Sequence, residues 1–349
     1  MPRWDDMRIA QVSTLSAPVA EESSGSVEAW LWLLTRELVR LGHEVSVFAA
    51  ANSQLPPGAK LIATQPGHYG ANGALDDWHL CEWLNLCRAV ERSAEFDVLH
   101  SHAYLWGVPL SPLARAPVVH TTHIVPDENS AKLFAAYPQA NVTAISRQQW
   151  SAYPHLNPAA VIHHGVDVKQ FPFSGTPGDY FCYMGRFVSG KGPTHAIAVA
   201  RKLGARLVMA GPRNDYFREH IEPLVDGKSI EYAGFVRGSD RAKLLGGARA
   251  LLYPIQYPES FGLVLLESMF CGTPVAAMRL GAVPEIVDEG ITGFSVTSLD
   301  GLAGAVRNCF ALDRAAVRRR AEERFSVECM ARQYEQFYER LVTKSQSQR

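Results

Sequence analysis

The chain has 349 residues, enough for about two domains of roughly 150 residues each. Hydrophobic residues make up 47% and charged residues 20% of the sequence, a balance that excludes an extended disordered protein. Lys and Arg number 10 against 15 Asp and Glu before Gly165, and 24 against 20 after it, so the halves carry −5 and +4. This distribution disfavours nucleic acid, which needs a concentrated basic face, and allows a nucleotide in the second half.

The sequence predicts neither a membrane span nor a metal site. Its apolar stretches, such as 248–254, fall far short of the ~20 residues that a bilayer span needs. No basic region followed by an apolar run opens the chain, so we expect a cytoplasmic protein, and the acidic first half argues against contact with anionic lipid. The cysteines lack the spacing that holds zinc and read as small buried residues: Cys81, Cys87, Cys182, Cys271, Cys309 and Cys329.

Strands and helices alternate along the first half. The apolar runs predict strands at 7–13, 44–49, 97–100, 117–121, 141–145 and 160–163. Helical spacing of apolar residues predicts helices at 27–41, which Gly42 ends, and at 76–93. Such alternation is typical of a parallel α/β sheet.

The second half repeats this plan after a segment rich in proline and glycine at 165–179, which we interpret as a linker. Strands are predicted at 180–184, 206–210, 230–233, 250–253, 274–277 and 293–296, and helices at 193–203 and 261–270. A last helix is expected at about 327–341, with the tail 344–349 frayed. The sequence therefore predicts two Rossmann-like domains, whose ligands bind beyond the carboxyl ends of the strands.

The segment 257–267 follows a predicted strand and enters a helix. Gly262 lets another group approach the backbone, and the free N–H groups of a helix start form an anion site. Glu259 and Glu267, eight positions apart, could grip different parts of one elongated ligand, whereas an acid/base pair would have to converge on one bond. An ordinary capped helix with solvated acids is the alternative interpretation.

The segment 184–194 is a second strand-to-helix loop rich in glycine. Arg186 offers a planar fork and Lys191 a mobile point charge, which suits a phosphate or diphosphate. Gly192 follows Lys191 and breaks the P-loop pattern, so ATP hydrolysis is not supported. A surface turn remains the alternative.

Two features of the first half end or follow strands. His120 and His123 end a predicted strand, where a neutral histidine can donate a hydrogen bond or act as a base, or can simply be structural. The segment 23–28 precedes the first long helix, where small residues admit a ligand; Ser24 or Ser26 as a plain cap, with Glu28 in the first turn, is the alternative. The sequence lacks three motifs: D-x-D, G-x-S-x-G and G-x-G-x-x-G. Their absence disfavours, in that order, a diphosphate site held by a metal ion, a serine hydrolase and a dinucleotide-binding site.

In this order, the motifs resemble the retaining glycosyltransferases of family 4. The resemblance spans nearly the whole chain and is strongest at Gly185-Arg186, Lys191-Gly192, Glu259 to Glu267, Cys271 to Pro274, Gly281 to Glu285 and Gly290 to Phe294. It implies the GT-B architecture, in which two facing Rossmann-like domains enclose a cleft. It also implies an acceptor domain at 1–165, a nucleotide-sugar donor domain at 166–326, and a helix at 327–349 that crosses back to the first domain.

The resemblance implies roles for the donor domain. Arg186 and Lys191 would hold the donor diphosphate where other transferases use a metal, so neither a metal nor another cofactor is expected. Glu267 would hydrogen-bond the ribose and Glu259 would lie beside the transferred sugar. The backbone of Phe261, Gly262 and Leu263 would meet the sugar or phosphate, and the backbone at Val236 would read the base.

It also implies roles in the first domain. His123 matches the family's T-x-H position and would donate to the sugar near the reacting carbon. Gly25 to Glu28 aligns with a G-G-x-E loop near the phosphates and acceptor, but Ser26 replaces the second glycine. His164 to Asp167 matches the usual entry to the second domain.

The function implied is transfer of a hexose from a nucleoside-diphosphate sugar, with UDP-glucose the family-weighted donor, to an acceptor hydroxyl with retention of configuration. The acceptor is a small molecule or glycan that the sequence leaves unidentified. A nucleotide-sugar 2-epimerase of the same fold and a nucleotide-sugar binding protein without turnover are the alternatives.

Overall fold

The computed structural model describes residues 6–71 and 73–347. The chain divides into two compact units, with unit 1 lying within 1–165 and 327–349 and unit 2 within 166–326. No helix among the described residues is both long enough and apolar enough to cross a bilayer.

Unit 1 is built on a seven-stranded parallel sheet with the strand order β3-β2-β1-β4-β5-β6-β7. Its strands are β1 Arg8–Val12, β2 Glu44–Ala50, β3 Lys60–Gln65, β4 Val98–Ser101, β5 Val118–Thr121, β6 Asn141–Ala144 and β7 Ala160–Val161. The sequence analysis missed β3. This edge strand is largely accessible to solvent and lacks the continuous apolar run that marks its buried neighbours.

The described part of unit 1 contains the α-helices α1 Ser26–Arg40, α2 Trp78–Glu91, α3 Glu128–Ala136 and α10 Val327–Ser347. The last of them packs on α1 and fills the same core, burying Met330, Tyr334, Phe337 and Tyr338. The sequence analysis expected the tail to fray from Lys344, but the helix continues to Ser347, so that expectation is wrong for 344–347. Residues 348–349 lie outside the described residues.

Unit 2 carries a six-stranded parallel sheet with the order β10-β9-β8-β11-β12-β13. Its strands are β8 Tyr180–Met184, β9 Arg206–Ala210, β10 Ile230–Tyr232, β11 Leu251–Tyr253, β12 Val275–Met278 and β13 Gly293–Val296. Its α-helices are α4 Pro193–Leu203, α5 Gly238–Gly247, α6 Leu263–Phe270, α7 Val283–Ile286, α8 Leu299–Cys309 and α9 Arg314–Phe325.

The sequence placed the start of α6 two residues too early. Gly262 caps this helix with φ 95° and ψ 67°, a left-handed conformation that glycine adopts without the cost borne by other residues. Phe261 therefore lies in the loop, where its side chain is buried. The left-handed residue sets the direction in which the chain enters the helix.

Candidate active site

Two loops at the carboxyl ends of β8 and β11 bring Lys191 and Glu259 together. Lys191 Nζ forms an ion pair with Glu259 Oε2, and the two side chains are only 16% and 12% exposed. The Tyr253 hydroxyl donates to the same Oε2 over 2.6 Å, and Nζ lies 5.2 Å from the centre of the Tyr257 ring. Residues that the sequence placed in separate motifs, 68 positions apart, thus form one charged site in unit 2.

Close backbone contacts fix these loops. Gly192 has φ 68°, and a Cβ there would lie 2.0 Å from the carbonyl oxygen of Pro254. A Cβ on Gly281, in the loop after β12, would lie 2.2 Å from the Glu259 nitrogen. The Ala282 amide donates to the Glu259 carbonyl over 2.8 Å. The carboxylate of Glu259 therefore projects from a backbone that is held on two sides.

Arg186 lies in the first of these loops with an exposed side chain. Its carbonyl oxygen accepts hydrogen bonds from the Tyr183 hydroxyl at 3.0 Å and from the Val188 amide at 3.2 Å. Its guanidinium has no ion-pair partner within the described ranges. The backbone of Arg186 is thus fixed, while its five N–H donors remain available to an anion.

Glu267 has a partner that sequence reasoning missed. Arg241, on α5, donates to Glu267 Oε2 from Nε over 2.8 Å and also from Nη2. Glu267 is buried, and burial raises the pKa of its carboxyl while Arg241 opposes the rise. A helical arginine 26 positions away offered no local sequence signal, because only the tertiary packing of α5 on α6 joins the two.

The other residues predicted for unit 2 lie at the same edge of its sheet. Phe261 is buried beside Phe325, at 6.3 Å between ring centres, and Leu263 begins α6. Val236 follows β10 and is partly accessible. Gly234 just before it has φ 81°, and its carbonyl accepts from the Gly211 amide over 3.0 Å.

In unit 1, the start of α1 differs from the simple cap considered from the sequence. Gly25 occupies the cap position without any side-chain hydrogen bond, so neither Ser24 nor Ser26 caps this helix. Glu28 is 1% exposed, and its Oε1 accepts from the Thr14 hydroxyl at 2.7 Å and the Ala17 amide at 3.1 Å. It is therefore an internal anchor for the loop after β1.

His123 is joined to two histidines that the sequence analysis did not single out for chemistry. Its Nε2 lies 3.2 Å from His102 Nδ1, and its Nδ1 lies 3.5 Å from His164 Nε2. The Trp30 ring packs against all three imidazoles at 4.9 to 5.2 Å between ring centres. Burial lowers the pKa of His123 to about 3, so the ring is neutral at physiological pH and can donate a hydrogen bond.

His120 is separate from that group. It is completely buried, and its Nε2 lies 2.7 Å from the Ser111 hydroxyl. Burial lowers its pKa to about 3. This surrounding supports the structural interpretation of His120.

A buried polar network links the sheet of unit 1 to α10. His100 Nδ1 lies 2.5 Å from the Tyr338 hydroxyl, and His100 Nε2 lies 2.7 Å from the Thr121 hydroxyl. Gln11 reaches both Tyr338, at 3.3 Å, and His102, at 2.8 Å. The same network therefore touches the helix at the end of the chain and the histidines that contact His123.

Within 6–71 and 73–347, no three His, Cys, Asp or Glu side chains are grouped so that they could share a metal ion. The charged groups at the carboxyl end of the unit 2 sheet include those of Lys191, Glu259, Arg186 and the Arg241–Glu267 pair. This set suits a polar ligand that carries both phosphate and hydroxyl groups.

Two parallel-sheet α/β units are the components of the GT-B fold, and the candidate charged residues lie at the carboxyl ends of the strands of the second unit. The family model described as "Glycosyl transferases group 1" matches residues 169–324, and the model described as "Glycosyltransferase Family 4" matches residues 27–170. The chain belongs to glycosyltransferase family 4, which confirms the family and the fold expected from the sequence.

Similar proteins agree with this assignment. A D-inositol 3-phosphate glycosyltransferase from Mycolicibacterium paratuberculosis is 28% identical over 366 residues, which cover 86% of this chain and 82% of the relative. The structure of sucrose-phosphate synthase from Thermosynechococcus elongatus is similar with a TM-score of 0.77 at 23% identity, over 97% of this chain and 100% of the other. HepE from Anabaena, in complex with UDP and glucose, has a TM-score of 0.71 at 20% identity, over 96% and 100%.

Proposed function

We propose that this glycosyltransferase moves a hexose from a nucleoside-diphosphate sugar, UDP-glucose, to an acceptor hydroxyl with retention of anomeric configuration. The observation that carries the proposal is the ion pair between Lys191 and Glu259. The exposed side chain of Arg186 belongs to the same loop as Lys191. The choice of UDP and glucose draws support from HepE, a protein of the same fold that was solved with both. Because the curated relatives are named as glycosyltransferases, epimerisation and binding without turnover are not favoured.

In this proposal, Arg186 and Lys191 bind the donor diphosphate. A guanidinium fork can hold two phosphate oxygens at once, and the ammonium adds a mobile point charge. Lys191 is already partnered by Glu259, so the carboxylate orients the ammonium. The two cations then stabilise the negative charge that grows on the departing phosphate, without a metal ion.

Glu267 accepts hydrogen bonds from the ribose hydroxyls, and Arg241 keeps its carboxylate ionised and oriented. The geometry supports this role, because both hydrogen bonds from Arg241 reach the same carboxylate oxygen, Oε2. The backbone at Val236 meets the base.

The transferred sugar lies beside Glu259 and the backbone of Phe261 to Leu263. In unit 1, neutral His123 donates a hydrogen bond to the sugar near the reacting carbon, while Gly25 and Ser26 contact phosphate or acceptor.

Departure of the nucleoside diphosphate leaves positive charge on the anomeric carbon. The leaving phosphate takes the proton of the acceptor hydroxyl on the same face, so no protein carboxylate acts as nucleophile. Preorganised cations and dipoles supply the stabilisation.

The test measures the thermal stability of the protein with UDP, GDP, ADP and dTDP in buffer without divalent metal. A nucleotide at 100 times its Kd should stabilise the fold by about 2.7 kcal/mol. Lys191→Ala should lose that stabilisation, whereas the control Lys202→Ala, which removes an exposed lysine of α4, should keep it. Equal stabilisation of the two variants, or a requirement for metal, would contradict the assignment.

A further inference from the structure

A second group of polar and aromatic side chains lies in unit 1, at the carboxyl ends of β1 and β4. We call it the acidic–aromatic edge and define it by Ser16, Glu28, Tyr69, Glu82 and Tyr104. The exposed Ser16 hydroxyl donates to Glu28, and the Tyr69 amide donates to the Leu15 carbonyl over 3.0 Å. The charges of Glu28 and Glu82 both act on Tyr69 and Tyr104. Two carboxylates and two phenols therefore share one patch.

Glu82 has an unused hydrogen-bonding atom. This residue of α2 is 1% exposed, and one of its carboxylate oxygens accepts from the Leu15 amide over 2.8 Å. The other, Oε2, has no hydrogen-bond partner among the described residues. Buried polar atoms are normally satisfied, so this oxygen points to a missing donor. Burial raises the pKa of Glu82 to about 7, so near neutrality the group can accept or donate.

Aromatic rings flank the two carboxylates. Tyr104 has φ 50°, a left-handed backbone conformation that is costly for a tyrosine and that places a 36% exposed ring at the surface. The Trp106 ring lies 5.2 Å and the Trp78 ring 6.3 Å from that of Tyr104. Partly exposed rings beside hydrogen-bonding carboxylates are suited to a molecule with both C–H faces and hydroxyl groups.

The loops around this edge carry no positive charge. The segments that follow the first five strands of unit 1 in sequence, at 13–25, 51–59, 66–77, 102–107 and 122–127, contain no Lys or Arg. A phosphate group here would face two carboxylates without a counter-charge, whereas neutral hydroxyl groups would find acceptors.

We propose that the acidic–aromatic edge binds the acceptor and that this acceptor is an uncharged carbohydrate or polyol rather than a phosphorylated one. The inference rests on the proposed function, because an acceptor site presupposes transfer from a bound donor. Glu82 Oε2 accepts a hydrogen bond from an acceptor hydroxyl, Glu28 holds Ser16 at the edge, and the rings of Tyr104 and Trp78 cover the C–H face of the acceptor. Glu82 is thus a specificity-determining residue.

The experiment uses the full chain with UDP-glucose and a panel of monosaccharides, disaccharides and polyols, each paired with its phosphate monoester. Release of UDP above the hydrolysis background and quenching of tryptophan fluorescence are the readouts. We expect uncharged members alone to be used. Glu82→Gln should raise the acceptor KM about tenfold or more while leaving the donor KM unchanged, as expected when a hydrogen bond to a charged group is lost. The matched control, Glu95→Gln, removes an exposed carboxylate of the same unit and should behave as the wild type.

Trp78→Ala provides a second variant at a partly exposed position, for use if Glu82→Gln folds poorly, and it should also raise the acceptor KM. Use of phosphorylated members in preference to uncharged ones would overturn the proposal, as would acceptor kinetics in Glu82→Gln and Trp78→Ala that match Glu95→Gln. A protein that binds UDP but responds to no uncharged member overturns it too and leaves the proposed donor site standing. If the wild-type protein fails to bind UDP at all, the proposed function is refuted, rather than the acceptor proposal alone.

Discussion

Replacing Glu82 by Gln should change the pH dependence of the stability of unit 1. Burial raises the pKa of this carboxyl from 4.5 to about 7, opposed by the Leu15 amide and assisted by the charge of Glu28. Tyr69, Tyr104 and Cys81 also face it, and the pKa of each is raised. Because the folded protein takes up this proton before the unfolded chain does, the wild type loses stability as pH rises from about 5 to above 7.

The size of the effect follows from linkage. A pKa difference of 2.5 units corresponds to about 3 kcal/mol over the full range, of which about 2 kcal/mol falls between pH 5.5 and pH 8. Glutamine keeps the shape of the side chain but does not ionise. Relative to Glu82→Gln, the wild type should therefore be less stable at pH 8 by about 2 kcal/mol more than at pH 5.5.

Urea unfolding at the two pH values measures this difference. All seven tryptophans of the chain lie before Gly165, so their fluorescence reports on unit 1. Glu95→Gln serves as the control, and histidine contributions cancel because they are common to all the proteins compared. A stability difference between wild type and Glu82→Gln that stays constant with pH, or that grows toward pH 5.5, would refute the argument.

Other predictions concern both units. Arg186→Ala should lose most transfer activity in a donor-consumption assay while its circular dichroism and melting temperature stay those of the wild type; unchanged turnover would refute its role. Arg241→Ala leaves Glu267 buried without its cation and should lower the free energy of unfolding by about 1–3 kcal/mol and raise the donor KM, measured by urea unfolding and initial rates. Gly25→Ala would place a Cβ 2.0 Å from Glu28 Oε2 and should destabilise unit 1 by about 1–3 kcal/mol in tryptophan-monitored unfolding. Gly304→Ala, in open space on α8 of unit 2, should not destabilise the protein when unfolding of both variants is followed by circular dichroism. Below pH 6.5, the unfolded chain binds a proton at His120 that the folded protein does not bind, because the folded pKa of His120 is about 3. In the Glu82→Gln background, this should lower the free energy of unfolding of unit 1 by about 1.4 kcal/mol at pH 5.5, as measured by urea unfolding.

Buried strands and their loops were readable from the sequence. The runs at 180–184, 206–210 and 293–296 match β8, β9 and β13 residue for residue. The first is wholly apolar, the second is apolar after Arg206, and the third alternates buried with half-buried residues. The solvent-facing edge strand β3 carries no such run, and it was missed. Hydrophobic burial therefore determined which elements the sequence could reveal.

The candidate site was predictable residue by residue, but its pairings were not. Motif spacing identified Lys191 and Glu259, whereas their ion pair depends on two loops that follow neighbouring strands in space. The pairing of Arg241 with Glu267 likewise depends on packing between helices. The sequence offered Glu28 as a favourable first-turn acid or as part of a ligand loop, and the structure buries it under the loop after β1. Local sequence patterns identify the residue types that can carry chemistry, whereas contacts between distant parts of the chain determine the partners of each side chain.

The return of α10 to unit 1 bears on the order of events during synthesis. Unit 2 is one uninterrupted segment, whereas the core of unit 1 needs Tyr334, Phe337 and Tyr338 from the last helix of the chain. During synthesis, the segment of unit 2 can thus fold before α10 has been made, while Trp30 and Leu34 of unit 1 still lack the α10 side chains that pack on them. The core of unit 1 is therefore completed only after unit 2 has been synthesised, and a deletion of α10 would remove part of the core of unit 1 while leaving the segment of unit 2 intact.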